Sequence, residues 1–386
     1  MTSPGRGPLP QTPAFVATQW PAVQTTDALW VRQLVLHHLR CFAEARLDLA
    51  PGINVITGPN GAGKTSLLEA VYLLSHGHSF RAGGPQALLR RGAEALDVFA
   101  ELLRAGSSHR LGLGRRSGHW EARLDGRDVA LAELLGQCAV VCFEPGSHAL
   151  ISGPPEERRR FMDWGVFHVE PSFLGHWRRY RRALEQRNAL LRHGVIADGE
   201  YRPWEESMGE TAALLDQARV RYLEALQKPL TRLLDRLIPE LGCVELRYRR
   251  GWPADNELAA YLAASRLTDQ QRGHTGAGSH RAAWSIHFAA APQREHLSRG
   301  QEKLVALACL LAQATVHAEH AGFWPIIAFD DLASELDRDH QRMVVDQLLA
   351  CGAQVLVTGT EIPDALSTRT TRRFHVEQGG RVQLIQ

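Results

Sequence analysis

The residues GPNGAGKT, at positions 58–65, indicate the class of fold. It fits the pattern GxxxxGK[ST] at every fixed position, follows the apolar run NVIT at residues 54–57 and precedes a run of helical character. The glycines let the backbone turn tightly enough for its N–H groups to point at phosphate oxygens, and the following helix adds its positive end. We therefore predict a nucleotide-binding P-loop in an α/β domain.

Individual positions of this loop have distinct predicted roles. Lys64 is expected to reach the β- and γ-phosphates of the nucleotide, and Thr65 to ligate Mg²⁺. The alternative is a glycine-rich turn that matches the pattern by chance, which the flanking strand and helix argue against. The predicted nucleotide-binding residues are Gly58, Pro59, Asn60, Gly61, Ala62, Gly63, Lys64, Thr65 and Ser66.

A pair of aspartates supplies the second part of the predicted site. PIIAFDD, at residues 325–331, places Asp330 at the carboxyl end of a buried strand, where α/β sheets hold their ligands. We expect Asp330 to hold Mg²⁺, directly or through water, and Asp331 to position or deprotonate the attacking water as the catalytic residue. An acidic strand end or a helix cap is the alternative interpretation of these residues.

The stretch HLSRGQEKLVALACLLAQ, at residues 296–313, opens a long apolar helix. Ser298 and Gln301 have the spacing of a capping box, and the helix is predicted to run to about Val316. Such a helix spans roughly 30 Å and leads into the Asp330 strand, so its N-terminus is expected to point away from the chain's own P-loop. We therefore predict that this N-terminus binds the γ-phosphate held by a second, identical chain, through Ser298, Arg299, Gly300 and Gln301.

Composition narrows the class of protein. The hydrophobic fraction of 44% over 386 residues fits a globular chain with a sizeable core, and a net charge of +2 does not by itself indicate a nucleic-acid partner. The six cysteines are scattered without a CxxC pair, which argues against zinc and for a reducing compartment. Without 18 consecutive apolar residues or a signal pattern, we expect a cytoplasmic protein with no membrane partner.

The order of patterns along the chain predicts one nucleotide domain made from both ends, with a helical insertion between them. The predicted limits are a leader at residues 1–29, head halves at 30–150 and 281–386, and a helical arm at 151–280. Within the arm, leucines recur at 3,4 spacing between Leu223 and Leu237, which predicts one short amphipathic helix. Pro229 lies inside that stripe and is expected to kink or break the helix. Residues 251–281 look loop-rich.

Several of these stretches together resemble a known family. The P-loop, the Leu-Ser-x-Gly-Gln stretch and the aspartate pair followed by LASELD define ABC-type ATPases. Three longer stretches resemble the bacterial RecF family, as does FDDLASELD: NVITGPNGAGKTSLLEAVYLLSHGHSFR, GPPEERRRFMDWGVFHVEPSFLGHWRRYRRALEQRNALL and LSRGQEKLVALACLLAQ. Arg299, where transporters usually carry Gly, and Asp331, where they usually carry Glu, are typical of that family. The resemblance extends from about Val31 to the C-terminus.

The resemblance implies an ABC/SMC-type ATPase head with an inserted helical arm. It implies a cytosolic DNA-repair protein that binds ATP with Mg²⁺, dimerises on ATP, hydrolyses ATP slowly and binds DNA at single-strand gaps near double-strand/single-strand junctions. It would act with RecR and RecO to help RecA load. The alternatives from other classes are the soluble ATPase subunit of an ABC transporter and a P-loop kinase of small molecules.

The sequence departs from the family pattern at several positions. Ser279 and Ala283 replace the Pro and Asp of a usual Gly-Pro-His-(Arg/Lys)-x-Asp motif, and Gly146-Ser147 replaces a usual acidic pair. No His follows the last core strand, so Thr358 or Thr360 is the candidate there for sensing the γ-phosphate.

Basic clusters interleaved with aromatic residues are the predicted DNA-binding elements, and Arg-rich helix faces that are merely solvated are the alternative. No base-reading element is evident, so we expect contact with the DNA backbone rather than sequence-specific binding. Arg81, past the P-loop helix, is predicted to face the nucleotide or to lie at the surface. The predicted DNA residues are Arg158, Arg159, Arg178, Arg179 and Arg182.

Overall fold

The computed structural model describes residues 28–193, 197–291 and 297–385. Most of the predicted leader, residues 1–27, and His296 lie outside the described residues, and the first strand already begins at Leu29. The strands are β1 Leu29–His37, β2 Glu44–Asp48, β3 Ile53–Thr57, β4 Ala95–Arg104, β5 Ser107–Arg116, β6 His119–Leu124, β7 Arg127–Val129, β8 Val140–Phe143, β9 Val244–Arg249, β10 Ala283–Phe288, β11 Ile326–Phe329, β12 Val355–Gly359, β13 Arg372–Val376 and β14 Val382–Leu384. The helices are α1 Lys64–His76, α2 Leu131–Leu135, α3 Ala149–Ser152, α4 Pro155–Val169, α5 Phe173–Arg192, α6 Asp198–Leu237, α7 Leu258–Ala264, α8 Arg266–Arg272, α9 Arg299–Ala321, α10 Leu332–Glu335 and α11 Arg338–Cys351.

The central sheet combines strands from both ends of the chain, as predicted. Its order within the described residues is β14-β13-β3-β12-β11-β8, and all neighbours pair in parallel except the closing hairpin of β13 and β14. Since parallel strands end at a common edge, the P-loop after β3 and Asp330 after β11 lie on the same edge, with β12 between them. This topology is what assembles the candidate site.

A second sheet is antiparallel and lies beside the nucleotide core, as the alternating patterns predict. Its order is β2-β1-β4-β5-β6-β7. Three of its hairpins turn through a residue pair with positive φ: Ala105-Gly106, Ser117-Gly118 and Asp125-Gly126. Positive φ at both central residues gives the turn a twist that matches the flanking strands.

Two hydrophobic cores cover the two faces of the central sheet. Alternate residues of β11 point to opposite cores: Ile327 and Phe329 contact one, and Ile326 and Ala328 contact the other. The first core contains α9, α11 and the helical insertion, and the second contains α1 and the antiparallel sheet. The P-loop helix and the helix that begins after Ser298 therefore lie on opposite faces of the sheet.

The insertion between the two head halves is built on the long helix α6. This helix has 40 residues, roughly 60 Å at 1.5 Å per residue, and packs against α5, α7 and α9. Pro229 is expected to kink or break the helix; no break occurs, because α6 continues through both Pro203 and Pro229. Leu226, Leu230 and their neighbours in the stripe are buried, and this packing offsets the roughly 3 kcal/mol that a proline costs inside a helix.

Residues beyond α6 are more ordered than their loop-like composition suggests. The helices α7 and α8 lie inside the stretch 251–281. Strand β10 pairs with β9 in a separate two-stranded sheet rather than with the head. We therefore propose that the arm extends past the predicted limit at residue 280 and ends near Phe288.

Helix α9 contains the most apolar long segment of the described chain. Its length and mean hydropathy of 1.3 would suffice to cross a membrane, but 72% of that segment is buried, as in the core helix of a globular domain.

The predicted capping box is confirmed, since Ser298 Oγ accepts a hydrogen bond from Gln301 N at 3.2 Å. Gln301 Oε1 in turn accepts one from Ser298 N at 3.0 Å.

Candidate nucleotide site

The P-loop joins the end of β3 to the start of α1, and two of its glycines occupy positions that exclude side chains. Gly63 has φ +113°, and a Cβ there would lie 2.6 Å from Cys41 Sγ and 2.8 Å from the Phe42 ring. Gly58 has φ +148°, and a Cβ there would lie 2.3 Å from the Val376 carbonyl oxygen. The loop is thus held between the β1–β2 turn and β13, with its backbone exposed to the cavity.

Lys64 is the first side chain of the P-loop helix and is only 9% exposed. Its Nζ donates hydrogen bonds to the carbonyl oxygens of Gly58 at 2.8 Å and Pro59 at 3.0 Å, which folds the side chain back over the loop. Burial lowers the pKa of Lys64, and the neighbouring charges of Asp331 and Asp330 act in the opposite direction. The ammonium group is therefore placed beside the loop that would cradle phosphates.

Asp330 follows β11 and lies across the sheet edge from the P-loop. Its Oδ1 accepts hydrogen bonds from Thr65 Oγ1 at 3.0 Å and Thr358 Oγ1 at 2.6 Å. Burial raises the pKa of the Asp330 carboxyl, whereas those two hydrogen bonds lower it and the charge of Asp331 raises it further. The structure thus brings together Thr65 and Asp330, the two residues predicted to hold the metal.

This group of oxygens fits Mg²⁺. Carboxylate and hydroxyl oxygens are the ligands that Mg²⁺ prefers, and the ion usually keeps several waters and phosphate oxygens besides. Asp330 is 6% exposed, and within the described residues its hydrogen-bond donors are the neutral hydroxyls of Thr65 and Thr358. A buried carboxylate that lacks a bonded cation is suited to receive one. Thr65 and Asp330 would hold the ion, which would supply positive charge to the phosphates.

Asp331 has an unusual backbone conformation at the start of α10. Its φ of 58° and ψ of 50° lie in the left-handed region, which non-glycine residues seldom adopt. The Asp331 amide donates to Thr358 Oγ1 at 3.0 Å, which ties this turn to β12. The Thr358 hydroxyl is therefore engaged by both aspartates, and Thr358 and Thr360 both line the cavity.

The cavity above the P-loop has a volume of about 550 Å³ and contains both predicted and unpredicted residues. Arg81, predicted to face the nucleotide or to lie at the surface, lines this cavity. The other residues from the turn after β1 and from the segment that follows α1 are the unpredicted ones. No motif marks them in the sequence, because they reach the cavity through contacts between segments that lie far apart in the chain. The lining residues are Asn60, Gly61, Gly63, Lys64, Thr65, Ser66, Asp330, Asp331, Thr358 and Thr360, with Arg40, Cys41, Arg81, Ala87, Leu89 and Pro145.

The residues around Ser298 lie elsewhere. Ser298, Arg299 and Gly300 are exposed, and they are absent from the lining of the P-loop cavity. Arg299 and Gly300 instead line a separate cavity of about 740 Å³. Lys303, one turn into α9, forms an ion pair with Glu335 of α10 at 2.8 Å. The helix start and the segment after Asp331 are thereby fixed together, away from the chain's own P-loop.

Two of the predicted DNA-binding arginines are used within the fold. The Arg158 guanidinium donates to four backbone carbonyls, including that of Trp284 at 3.0 Å. Arg159 donates to the Ala282 carbonyl at 2.6 Å, and its side chain is 14% exposed. Both hold the arm's small sheet against α4, which gives them a structural role, and their contact with DNA stays a prediction.

The remaining predicted arginines lie on the exposed face of α5. Arg178, Arg179 and Arg182 are exposed, and Arg179 forms a surface ion pair with Glu210 at 3.0 Å. Such exposed ion pairs contribute little to stability. Whether these arginines contact DNA stays a prediction.

The departures from the family pattern have local roles. The amide of Gly146 donates to Glu144 Oε2 at 2.6 Å, and Ser147 Oγ accepts from the Glu144 amide at 2.9 Å, which closes a tight turn after β8. Ser279 is buried, and its carbonyl accepts a hydrogen bond from Arg219 Nη1 at 2.8 Å. Ala283 begins β10.

Comparisons with known proteins agree with this geometry. The profile of the RecF/RecN/SMC N-terminal domain matches residues 30–378. The chain is 50% identical over 358 residues to the DNA replication and repair protein RecF of Stenotrophomonas maltophilia, covering 90% of this chain and 97% of the relative. Its identity to the RecF of Xanthomonas oryzae pv. oryzae is 48% over 361 residues, covering 90% and 99%.

Solved structures show the same fold at lower identity. A structure of the recombination mediator protein RecF with ATP, from the RecFOR pathway, superposes with a TM-score of 0.86 at 23% identity, covering 97% of this chain and 100% of that one. An SMC head bound to the C-terminal winged-helix domain of ScpA gives a TM-score of 0.55 at 16% identity, covering 92% and 97%. The fold is that of an α/β ABC/SMC-type ATPase head, as predicted.

Proposed function

Because the chain belongs to the bacterial RecF family, we propose that it is an ATP-dependent DNA-binding protein of DNA replication and recombinational repair. It forms an ATP-gated dimer that binds DNA at single-strand gaps and double-strand/single-strand junctions. It works in the cytoplasm with RecO and RecR to help RecA load. The names of the RecF relatives and the RecFOR pathway of the RecF–ATP structure support this assignment.

The observation that carries the proposal is the group formed by Thr65, Asp330 and Thr358 beneath the P-loop. It places a desolvated carboxylate 3.0 Å from the P-loop hydroxyl, on the sheet edge where phosphates bind helix α1. Lys64 lines the same cavity. These groups suit ATP with Mg²⁺, and they are less suited to an uncharged ligand.

ATP acts mainly as an assembly ligand in this proposal. Helices α1 and α9 lie on opposite faces of the sheet, so one chain cannot easily bring Ser298 to its own P-loop. Two chains facing each other head to tail provide the missing half of each site, through Ser298, Arg299, Gly300 and Gln301 of the second chain. A nucleotide bound by both chains stabilises the dimer by mass action.

Slow hydrolysis of ATP then separates the two chains of the dimer. Asp331 lines the cavity beside Lys64, and its carboxylate is the candidate that positions the attacking water. An aspartate is one methylene shorter than the glutamate of faster relatives, and such a displacement from the water slows the reaction. We therefore propose a weak ATPase that DNA stimulates.

DNA binding is proposed for the exposed arginines of α5. Arg178, Arg179 and Arg182 present positive charge without a base-reading element, which suits contact with the phosphate backbone of gapped or double-stranded DNA. Membership of the RecF family argues against the alternative of an ABC-transporter subunit. The alternative of a small-molecule kinase gives no role to the exposed arginine face of the arm.

Sedimentation velocity with and without ATP, Mg²⁺ and a gapped duplex tests the proposal. The wild type is expected to be a monomer alone, a dimer with ATP and Mg²⁺, and a DNA-bound dimer with the duplex added. Lys64→Met removes the phosphate-binding ammonium and is expected to abolish the ATP-dependent dimer.

The control for folding is the midpoint of thermal unfolding of Lys64→Met without nucleotide, which should stay near that of the wild type. A wild-type sedimentation coefficient that ATP and Mg²⁺ leave unchanged would refute the nucleotide-gated dimer.

A further inference from the structure

Glu69 is a buried carboxylate on the P-loop helix that the mechanism above does not use. Its side chain is fully buried, and its two oxygens accept hydrogen bonds from Arg40 Nε at 2.8 Å and Arg40 Nη2 at 2.5 Å. Ser79 Oγ donates a further hydrogen bond to Glu69 Oε1. The carboxylate thus joins three segments: α1, the turn after β1 and the loop after α1.

Arg40 carries this connection to the wall of the nucleotide cavity. Its Nη1 donates to the Ala87 carbonyl, and its backbone amide donates to the Leu88 carbonyl at 2.8 Å. Arg40 itself, Ala87 and Leu89 all line the cavity opposite the P-loop. The bidentate pair with Glu69 therefore sets the position of this wall relative to the P-loop helix.

Ser79 carries the connection to Arg81. Its Oγ accepts a hydrogen bond from the Arg81 amide at 2.8 Å while it donates to Glu69. The Arg81 guanidinium has no hydrogen-bond partner among the described residues, and it lines the cavity together with Lys64 and Asp330. Burial raises the pKa of Asp330 and that of Cys41, and the positive charge of Arg81 acts in the opposite direction on both, which is consistent with its facing the cavity.

We propose that Glu69 is a positioning residue for the nucleotide, because it holds Arg40 in the cavity wall and, through Ser79, aims the Arg81 guanidinium at the phosphates. The inference rests on the proposed ATP binding. It assigns Arg81 as a second cation of the site beside Lys64. It also gives a reason for the buried carboxylate of Glu69. Packing alone does not require a charge there, since a buried ion pair is seldom more stabilising than apolar residues of similar volume.

A matched pair of variants separates positioning from folding. Glu205 is also a buried carboxylate, and it accepts hydrogen bonds from Arg187 at 3.1 Å and Arg266 at 2.5 Å within the arm, away from the nucleotide cavity. Glu69→Gln and Glu205→Gln each remove one charge from such a cluster. We expect both to lower the temperature of thermal unfolding.

The readout is the dissociation constant of a fluorescent ATP analogue with Mg²⁺, measured at a temperature where both variants are folded. Glu69→Gln is expected to bind about tenfold more weakly than the wild type, the effect of one charge-assisted hydrogen bond. Glu205→Gln is expected to bind as the wild type does. Equal affinity of Glu69→Gln and the wild type would overturn the proposal.

A double-mutant cycle with Arg81→Ala tests the route. If Glu69 acts through Arg81, the two losses of affinity are not additive, and Glu69→Gln costs little once Arg81 is absent. Additive losses, or an Arg81→Ala variant that binds the analogue normally, would refute the route from Glu69 through Arg81. If the wild type itself fails to bind the analogue, the proposed function fails instead, so the two failures are distinguishable.

Discussion

A buried charged cluster in the arm and another in the head are built differently. In the arm, Arg187 is fully buried, and every nitrogen of its guanidinium has an acceptor: Glu205 at 3.1 Å, Asp269 at 2.8 Å, Thr275 at 2.8 Å and the Leu262 carbonyl at 3.0 Å. In the head, Asp330 is nearly as buried but, among the described residues, accepts hydrogen bonds only from neutral hydroxyls.

The difference distinguishes a structural cluster from a binding site. The arm cluster is complete, because each charge has its counter-charge within hydrogen-bond distance. The head cluster is incomplete: burial raises the pKa of Asp330 and lowers that of Lys64, so both charged forms are disfavoured until a ligand arrives. Buried groups with perturbed pKa values in a cavity are a physical indication of function.

Removing the centre of the complete cluster should have the largest effect on stability. Arg187→Met leaves two buried carboxylates, on Glu205 and Asp269, without their shared cation. We expect a loss of about 3–5 kcal/mol in the free energy of unfolding, measured by urea denaturation. Arg202→Met is the control, since its pair with Glu206 is exposed and should cost less than about 0.5 kcal/mol. Similar losses in both variants would show that the buried cluster contributes no more to the free energy of unfolding than the exposed ion pair.

The incomplete cluster should respond in the opposite direction. Asp330→Asn removes a desolvated charge but keeps an oxygen for the two threonine hydroxyls. Without nucleotide we expect a gain in the free energy of unfolding at neutral pH, because burial raises the pKa of Asp330 and disfavours its charged form. ATP binding in the variant should lose its dependence on Mg²⁺. A loss of stability at neutral pH would contradict the account of this site.

The sign of the pH dependence follows from the raised pKa of Asp330. A carboxyl whose folded-state pKa is raised contributes stability that is present below its unfolded-state pKa and is lost as pH rises through the folded-state pKa. The difference between Asp330→Asn and the wild type should therefore shrink as the pH is lowered through that range. Denaturation curves at several pH values measure it.

The exposed arginines of α5 should show the smallest effect per residue. Arg178→Glu with Arg182→Glu is expected to weaken DNA binding at low salt and to reduce the slope of log affinity against log salt by about 1 for each phosphate that the variant no longer neutralises. Arg123→Glu, an exposed residue on β6 in the head, is the control with the same change of charge per residue. An unchanged slope in the α5 variant would remove this face from the DNA-binding surface.

Prediction from the sequence is sufficient where function depends on a short local pattern. The P-loop lies between a strand and a helix, Asp330 ends a buried strand, and Ser298 and Gln301 form the capping box as predicted. Each of these features is set by residues within a few positions of one another, so spacing alone determines it.

Prediction from the sequence is incomplete where the interactions are long-range. Arg40 and Glu69 meet across 29 positions, and Arg158 meets Trp284 across 126, so no local pattern reveals either pair. The arginine-rich stretch at 158–160 resembles a DNA-binding element because composition does not show which guanidinium groups bond to backbone. The expectation of a break at Pro229 fails for a similar reason, since the packing that keeps α6 continuous comes from other elements.

We propose that MgATP and the Ser298 segment of a second chain complete the incomplete head cluster of the first. Mixing two variants tests it directly by sedimentation velocity with ATP and Mg²⁺. Lys64→Met alone has no working P-loop, and Ser298→Arg alone has no working partner segment, so each is expected to stay monomeric. In the mixture, the P-loop of the Ser298→Arg chain faces the intact Ser298 of the other chain, and we predict a heterodimer with one complete site. A mixture that stays monomeric, or a Ser298→Arg variant that dimerises on its own, would contradict the claim.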